Sequence, residues 1–242
     1  MRNSAPSQNL DAVLVVDNLQ ACYGESHVLH GMSFVLQPGE IVALLGRNGS
    51  GRTTTLRAIV GLVSRRTGVI RVNSRDATRL APHVIARMGV GYCPEERGIF
   101  SRLSCEENLL LPPTCLSGGM SVDEIYTLMP NLAERRGTPG TRLSGGEQQM
   151  LAIARILRTG AKLLLLDEIS EGLAPVIVDR LFDLISELKT RGYTILLVEQ
   201  NKYFAAPLAD HFLVVERGKI TMRLTGAELE ANADFVDRSI GV

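Results

Sequence analysis

Residues 41–54 constrain the fold more tightly than any other stretch of the chain. Ile41–Leu45 is an unbroken apolar run, and Gly46-Arg47-Asn48-Gly49-Ser50-Gly51 follows it. Arg52-Thr53-Thr54 then opens a helical segment whose apolar residues include Leu56, Ile59, Val60 and Leu62. A buried strand passing through a glycine-rich turn into a helix belongs to an α/β layer structure with a largely parallel sheet. Gly46, Gly49 and Gly51 let the backbone turn sharply and aim successive N–H groups at an anion. The helix start adds the positive end of its dipole. Gly46, Asn48, Gly49, Ser50, Gly51, Arg52, Thr53 and Thr54 are therefore candidate phosphate-binding residues, with the Thr53 hydroxyl placed to bind Mg²⁺. The pattern asks for Lys before Thr53, and Arg52 stands there instead. Its charge is preserved, but a planar, forked guanidinium is not the compact point charge of an ammonium.

Elsewhere strand-like and helical segments alternate along the 242 residues. Strands are expected at 12–16, 28–36, 41–45, 68–72, 90–93, 162–166, 194–198 and 212–215. Helices are expected to start near Thr53, Pro82, Cys105, Ser121, Gly146, Pro175, Asn201 and Thr225. The stretch 82–159 is mostly helical and reads as an insertion, whereas the ends, about 1–10 and 236–242, read as loose.

Leu163-Leu164-Leu165-Leu166 ends in Asp167-Glu168, roughly 120 residues after the glycine loop. In a parallel sheet the carboxyl ends of strands line the ligand crevice, so both acids arrive at the phosphates. Asp167 suits Mg²⁺, held mostly through water, and Glu168 suits a general base acting on water. Leu143-Ser144-Gly145-Gly146-Glu147-Gln148-Gln149 then precedes an amphipathic helix with Met150, Ile153, Ala154 and Leu157 on one face. Ser144 and the Gly145 and Gly146 amides at a helix start form a second anion surface. One chain does not need two sites for one terminal phosphate, so this surface is expected to complete the site of a neighbouring subunit. Leu116-Ser117-Gly118-Gly119 repeats the same letters without the Glu-Gln-Gln continuation. It reads as a loop leading to a capping box, Ser121 with Glu124.

The order and spacing of these three motifs resemble the ATP-binding cassette family across nearly the whole chain. The resemblance implies a P-loop nucleotide-binding domain spanning 1–242: a mostly parallel central sheet, an antiparallel β subdomain and a helical subdomain. The nucleotide-binding core would comprise 11–81 and 160–242, and about 82–159 would carry the LSGGEQQ signature. It also implies a head-to-tail dimer with two ATP molecules, each held between one subunit's phosphate loop and the other's Ser144, Gly145 and Gly146. Tyr23 sits where the family stacks an aromatic ring on adenine. Glu95, in YCPEERGIF, stands where many members carry Gln, and could help hold Mg²⁺. Gln200, in VEQN, stands where many carry His; it can hydrogen-bond phosphate or water but cannot change charge near neutral pH. With SEGLAP at 170–175, these features look like the ATPase subunits of branched-chain amino-acid importers. Urea and amide importers share much of the pattern. Ile169 departs from the family's Pro after the acid pair.

The implied activity is ATP hydrolysis driving transport, with a second ATPase subunit, membrane permease subunits and, indirectly, a solute-binding protein as partners. Lys+Arg and Asp+Glu both number 26. That balance disfavours nucleic acid as a partner and, with it, repair or translation cassettes. No apolar run approaches the roughly 20 residues of a membrane span, and the first ten residues are polar. The expectation is a cytoplasmic protein held peripherally on the inner face of the membrane. Its four scattered cysteines suggest reduced thiols. A regulatory alternative is a nucleotide-binding partner subunit with little hydrolysis, motivated by Arg52, Glu95 and Gln200 together.

Overall fold

The computed structural model of the chain describes residues 11–241. An antiparallel pair comes first, β1 (Leu14–Tyr23) and β2 (Ser26–Leu36). Next come β3 (Ile41–Leu45), α1 (Arg52–Ile59), β4 (Arg65–Val72), β5 (Arg75–Asp76), α2 (Pro82–Ala86) and β6 (Val90–Cys93). Helices α3 (Cys105–Leu110), α4 (Val122–Leu128), α5 (Pro130–Glu134) and α6 (Gly145–Arg158) fill the middle. Then β7 (Leu163–Asp167), α7 (Pro175–Thr190), β8 (Thr194–Glu199), α8 (Lys202–Ala205), β9 (His211–Glu216) and β10 (Lys219–Thr225) alternate. The chain closes with α9 (Gly226–Ala231) and α10 (Ala233–Ile240).

The larger sheet has the order β10-β9-β3-β8-β7-β6, with β9, β3, β8, β7 and β6 parallel and β10 antiparallel to β9. The smaller sheet, β2-β1-β4-β5, is antiparallel throughout. Side chains alternate between the faces of a strand, and here both faces are covered, so the strands read as continuous apolar runs. Ile41, Ala43 and Leu45 join Leu164, Leu166, Ile195, Leu197, Phe212 and Val214 in a core that includes α6 and α7. Val42 and Leu44 join Leu163, Leu165, Leu196, Val198, Leu213 and Val215 in a second core, shared with α1 and the smaller sheet. The buried apolar residues of α3, α4 and α5 belong to the first core. Ile85, Met88 and Val90, inside the stretch expected to be an insertion, belong to the second, and β6 is an edge strand of the larger sheet.

Five of the eight expected helix starts are fixed by side chains that satisfy the first-turn amides. Ser104, Ser121, Ser144 and Thr225 each form a reciprocal capping box with the Glu three residues on. Several segments depart from expectation: β5 and α5 form where no element is expected, and β1 runs on to Tyr23 rather than ending near residue 16. Strand β10 is written in the alternation of Ile220, Met222 and Leu224 with polar residues, and it pairs with β9. Residues 236–242, expected to be loose, are helical as far as Ile240, with Val236 and Ile240 fully buried in the first core. Lys202 forms an ion pair with Asp237 that anchors this last helix. Residues 1–10, also expected to be loose, lie outside the described residues.

The turn between β9 and β10 joins the smaller sheet to the glycine loop. Gly218 N–H donates to Ser50 O at 2.7 Å, and Gly218 O accepts from His30 N–H at 2.9 Å. Gly218 has φ +72, and a Cβ there would collide with the Val28 carbonyl. Gly218→Ala is therefore expected to cost about 2 kcal/mol or more, lowering the melting temperature by roughly 4–8 °C. Gly226→Ala, at the first position of α9 with open space around it, should leave the melting temperature unchanged or slightly raised. Thermal unfolding of the two variants beside the parent checks both.

Candidate active site

The parallel register brings three strand ends to one edge. Leu45 lies opposite Glu199 across β3 and β8, and Asp167 lies opposite Val198 across β7 and β8. The loops that follow these strands, beginning at Gly46, Glu168 and Gln200, therefore emerge side by side at the crevice where α/β sheets bind ligands.

The glycine loop wraps the start of α1. Gly51 is its N-cap, with φ 107, and no side chain caps this helix. Its first amides are thus left for an acceptor from outside. Gly46 is buried, and a Cβ there would strike Val215 O and sit 2.8 Å from Ser50 Oγ. Ser50 Oγ and Arg52 Nη1 are buried without a hydrogen-bond partner. Such orphaned groups cost roughly 1–3 kcal/mol each, so the loop is primed for a ligand rich in acceptor oxygens. Asn48 and Gly49 are exposed, and Thr53 and Thr54 half-buried.

Arg52 is 4% exposed and pairs with Glu168 through Nη2···Oε1 at 2.6 Å. The same Nη2 donates to Asn48 Oδ1 at 3.3 Å. Thr53 Oγ1 donates to Asp167 Oδ1 at 3.1 Å, and the Tyr92 hydroxyl donates to Asp167 Oδ2 at 3.3 Å. Burial pushes the Asp167 carboxyl up to about 6, against the hydrogen bonds from Thr53 and Tyr92. Burial likewise pushes Glu168 up to about 6, against the pull of the Arg52 charge. The Glu168 backbone adopts φ 48, its N–H donates to Val198 O, and its Oε2 accepts from Gln200 N–H at 3.2 Å. Thr53 and Asp167 offer Mg²⁺ the hard oxygen donors it takes, so the residues present fit that ion.

Other sequence-selected residues stand apart. Tyr23, at the end of β1, is 44% exposed rather than a core tyrosine. Glu95 is exposed, and its charge adds to the upward push on Asp167. The Gln200 side chain donates to Ile240 O at 3.4 Å, toward the last helix. Ser144 is exposed at the start of α6, with its hydroxyl oxygen accepting from Glu147 N–H, and Gly146 packs against Ile177 too closely for any Cβ. The repeated Leu116–Gly119 letters form a loop that packs under the end of α6, where Leu116 N–H donates to Thr159 O.

Sequence reasoning passed over Tyr92, Ser170 and Glu199. Glu199 Oε1 accepts from Ser170 N–H at 3.0 Å and Oε2 from the Ser170 hydroxyl at 2.8 Å. Only the position of Glu199 at the end of an apolar strand beside Gln200 hinted at it. Also unforeseen is a bridge from α6 to the segment after β6: Gln149 accepts from Arg97 Nε at 3.1 Å and donates to Cys93 Sγ.

Comparison with known proteins gives one consistent answer. A family profile described as ABC transporter matches residues 29–171. The high-affinity branched-chain amino acid transport ATP-binding protein BraG of Pseudomonas aeruginosa is 40% identical over 238 residues, covering 95% of this chain and all of that one. The lipopolysaccharide export system ATP-binding protein LptB of Escherichia coli is 34% identical, covering 90% of this chain and 92% of its own. Among solved structures, an ATP-binding cassette of an ABC transporter in its ADP conformation superposes with a TM-score of 0.81 at 23% identity. That superposition covers 95% of this chain and 97% of that one, and shows the shared fold. The chain thus belongs to the ABC transporter family, as one of its ATP-hydrolysing subunits.

Proposed function

We propose that the chain is the motor subunit of an importer for branched-chain amino acids, working as a dimer with membrane permease subunits on the inner face of the membrane. A solute-binding protein would deliver the cargo. The observation that carries the reading is the cluster of Arg52, Thr53, Asp167 and Glu168 at the edge of the parallel sheet. The choice of solute rests on the 40% identity to BraG, against 34% to LptB, which is named for export. Among the described residues no helix is long and apolar enough to cross a membrane, so the reading needs a separate membrane partner.

In this mechanism the amides of Gly46–Thr54, with Ser50 and Arg52, hold the phosphates and Tyr23 stacks on adenine. Thr53 and Asp167, with Glu95 nearby, would hold Mg²⁺, which when bound neutralises charge on the terminal phosphates. Glu168 accepts a proton from the attacking water as the water oxygen bonds the γ-phosphorus and the bond to the bridging oxygen breaks. Gln200 turns from Ile240 to hydrogen-bond the γ-phosphate or the water. Ser144 of the partner subunit closes the site from the other side. Residues 1–242 act as one cassette, with 11–81 and 160–242 as its core and about 82–159 carrying the signature. Gln149, bonded to Arg97 and to Cys93 at the end of β6, ties the signature helix to an edge strand of the larger sheet, which supports transmission from helix to sheet.

The buried Arg52–Glu168 pair also favours a second reading, a subunit that binds ATP but turns it over slowly. A guanidinium committed to the base through Nη2 offers the phosphates only its Nη1 end until that pair breaks.

Glu168→Gln is expected to keep ATP bound, favour the closed dimer and lower turnover by at least about a hundredfold. Turnover at the parent rate would remove Glu168 as the base. Arg52→Lys should hydrolyse MgATP within about threefold of the parent. A silent parent beside an active variant would bring the slow-subunit reading forward. Copurification with a tagged permease, and loss of leucine uptake from cells lacking the chain, test the transport claim.

A further inference from the structure

The acid proposed as the base sits in a conformation that L-residues seldom adopt. Glu168 has φ 48, and a non-glycine residue persists there only where its surroundings over-determine it. Three contacts fix the turn that follows. Glu168 N–H donates to Val198 O at 2.9 Å, and Glu171 N–H donates back to Glu168 O at 3.3 Å. The third is Glu199, 1% exposed, whose two carboxylate oxygens take the N–H and the hydroxyl of Ser170, two residues beyond the base. The neighbouring Gln200 N–H holds Glu168 Oε2. The ends of β7 and β8 are thus stitched from Val198 through Gln200, with Glu199 gripping the Glu168–Glu171 turn from beneath.

We propose that Glu199 is a positioning residue for hydrolysis: by clamping Ser170 it holds the 168–171 turn so that Glu168 faces the site. This inference rests on reading Glu168 as the base. Glu199 touches no reacting atom; it acts through the turn. A displacement of about 1 Å at a reacting group can cost on the order of a hundredfold in rate, so a buried clamp two residues away governs turnover without governing affinity.

The test is MgATP hydrolysis, in steady state and in single turnover so that slow parent turnover does not mask an effect, together with nucleotide affinity, of the whole chain and its variants. Glu199→Ala should lower kcat by about ten- to a hundredfold with KM for ATP within about twofold. Glu199→Gln should return kcat to within about threefold of the parent, because its amide carbonyl accepts from Ser170 N–H while its NH₂ donates to Ser170 Oγ. Ser170→Ala, keeping the backbone donor alone, should fall between the two. The proposal is overturned if Glu199→Ala hydrolyses at the parent rate, or if Glu199→Gln is as impaired as Glu199→Ala. Where Glu199→Ala fails to fold, a Ser170→Ala variant at the parent rate overturns it equally. Glu168→Gln is the control. If that variant keeps its activity, the assignment of the base falls and this inference with it; if it is silent while Glu199→Ala is unimpaired, only the clamp falls.

Discussion

The lateral pairing of β3, β8 and β7 sets every distance at the site. Because the three strands run parallel and in register, Leu45, Glu199, Val198 and Asp167 end at one level. The loop after each strand then has no choice but to open on the same edge. Both faces of this sheet are buried, by α6 and α7 on one side and by α1 and the smaller sheet on the other. A register slip of one residue would exchange the two faces and send each apolar side chain into the wrong core. The cores therefore hold the register, and the register holds the acids.

Within that frame Arg52 and Glu168 form a pair taken almost wholly out of water, with side-chain exposures of 4% and 6%. Burying two charges carries a desolvation cost that their mutual attraction only roughly offsets, while removing one partner alone costs about 3–5 kcal/mol. The pair is thus more a matter of position than of net stability. It keeps an uncompensated carboxylate from standing in the site, and it gives the guanidinium a resting place at one end while Nη1 stays without a partner. An incoming polyanion offers that free end acceptors before the Glu168 contact has to break. Exchange of one acceptor for another is easier than exposure of a bare charge.

The sequence made the architecture legible because its signals were local. The glycine loop, the capping residues and the apolar runs each depend on neighbours within a few positions, and the helix starts they mark fall within a residue of those observed. Long-range partners were not legible. Nothing in Arg52 or Glu168 alone announces that they meet, nor that Ser170 lies over Glu199, since both pairings arise from strand ends joined only by tertiary structure. The last helix was missed for a related reason: Val236 and Ile240 supply one apolar face too short to read as periodic, and its docking through Lys202 and Asp237 is again non-local. Strand β10 is different, because the alternation of Ile220, Met222 and Leu224 was there to be read.

The start of α6 shows why a second copy of such a site is chemically reasonable. Ser144 caps its own helix by accepting from Glu147 N–H, and Ser144 N–H in turn donates to the Glu147 carboxylate, which also pairs with Arg135. A hydroxyl used this way spends a lone pair and keeps its proton. The exposed Ser144 oxygen is therefore held in place while its O–H can turn toward an acceptor, beside the positive end of a long helix. Within its own chain its bonds stay in the first turn, so on the proposed reading the acceptor it suits comes from outside. The capping box that starts the helix in one subunit is the same device that would leave a well-placed hydroxyl donor for the phosphate bound by the other.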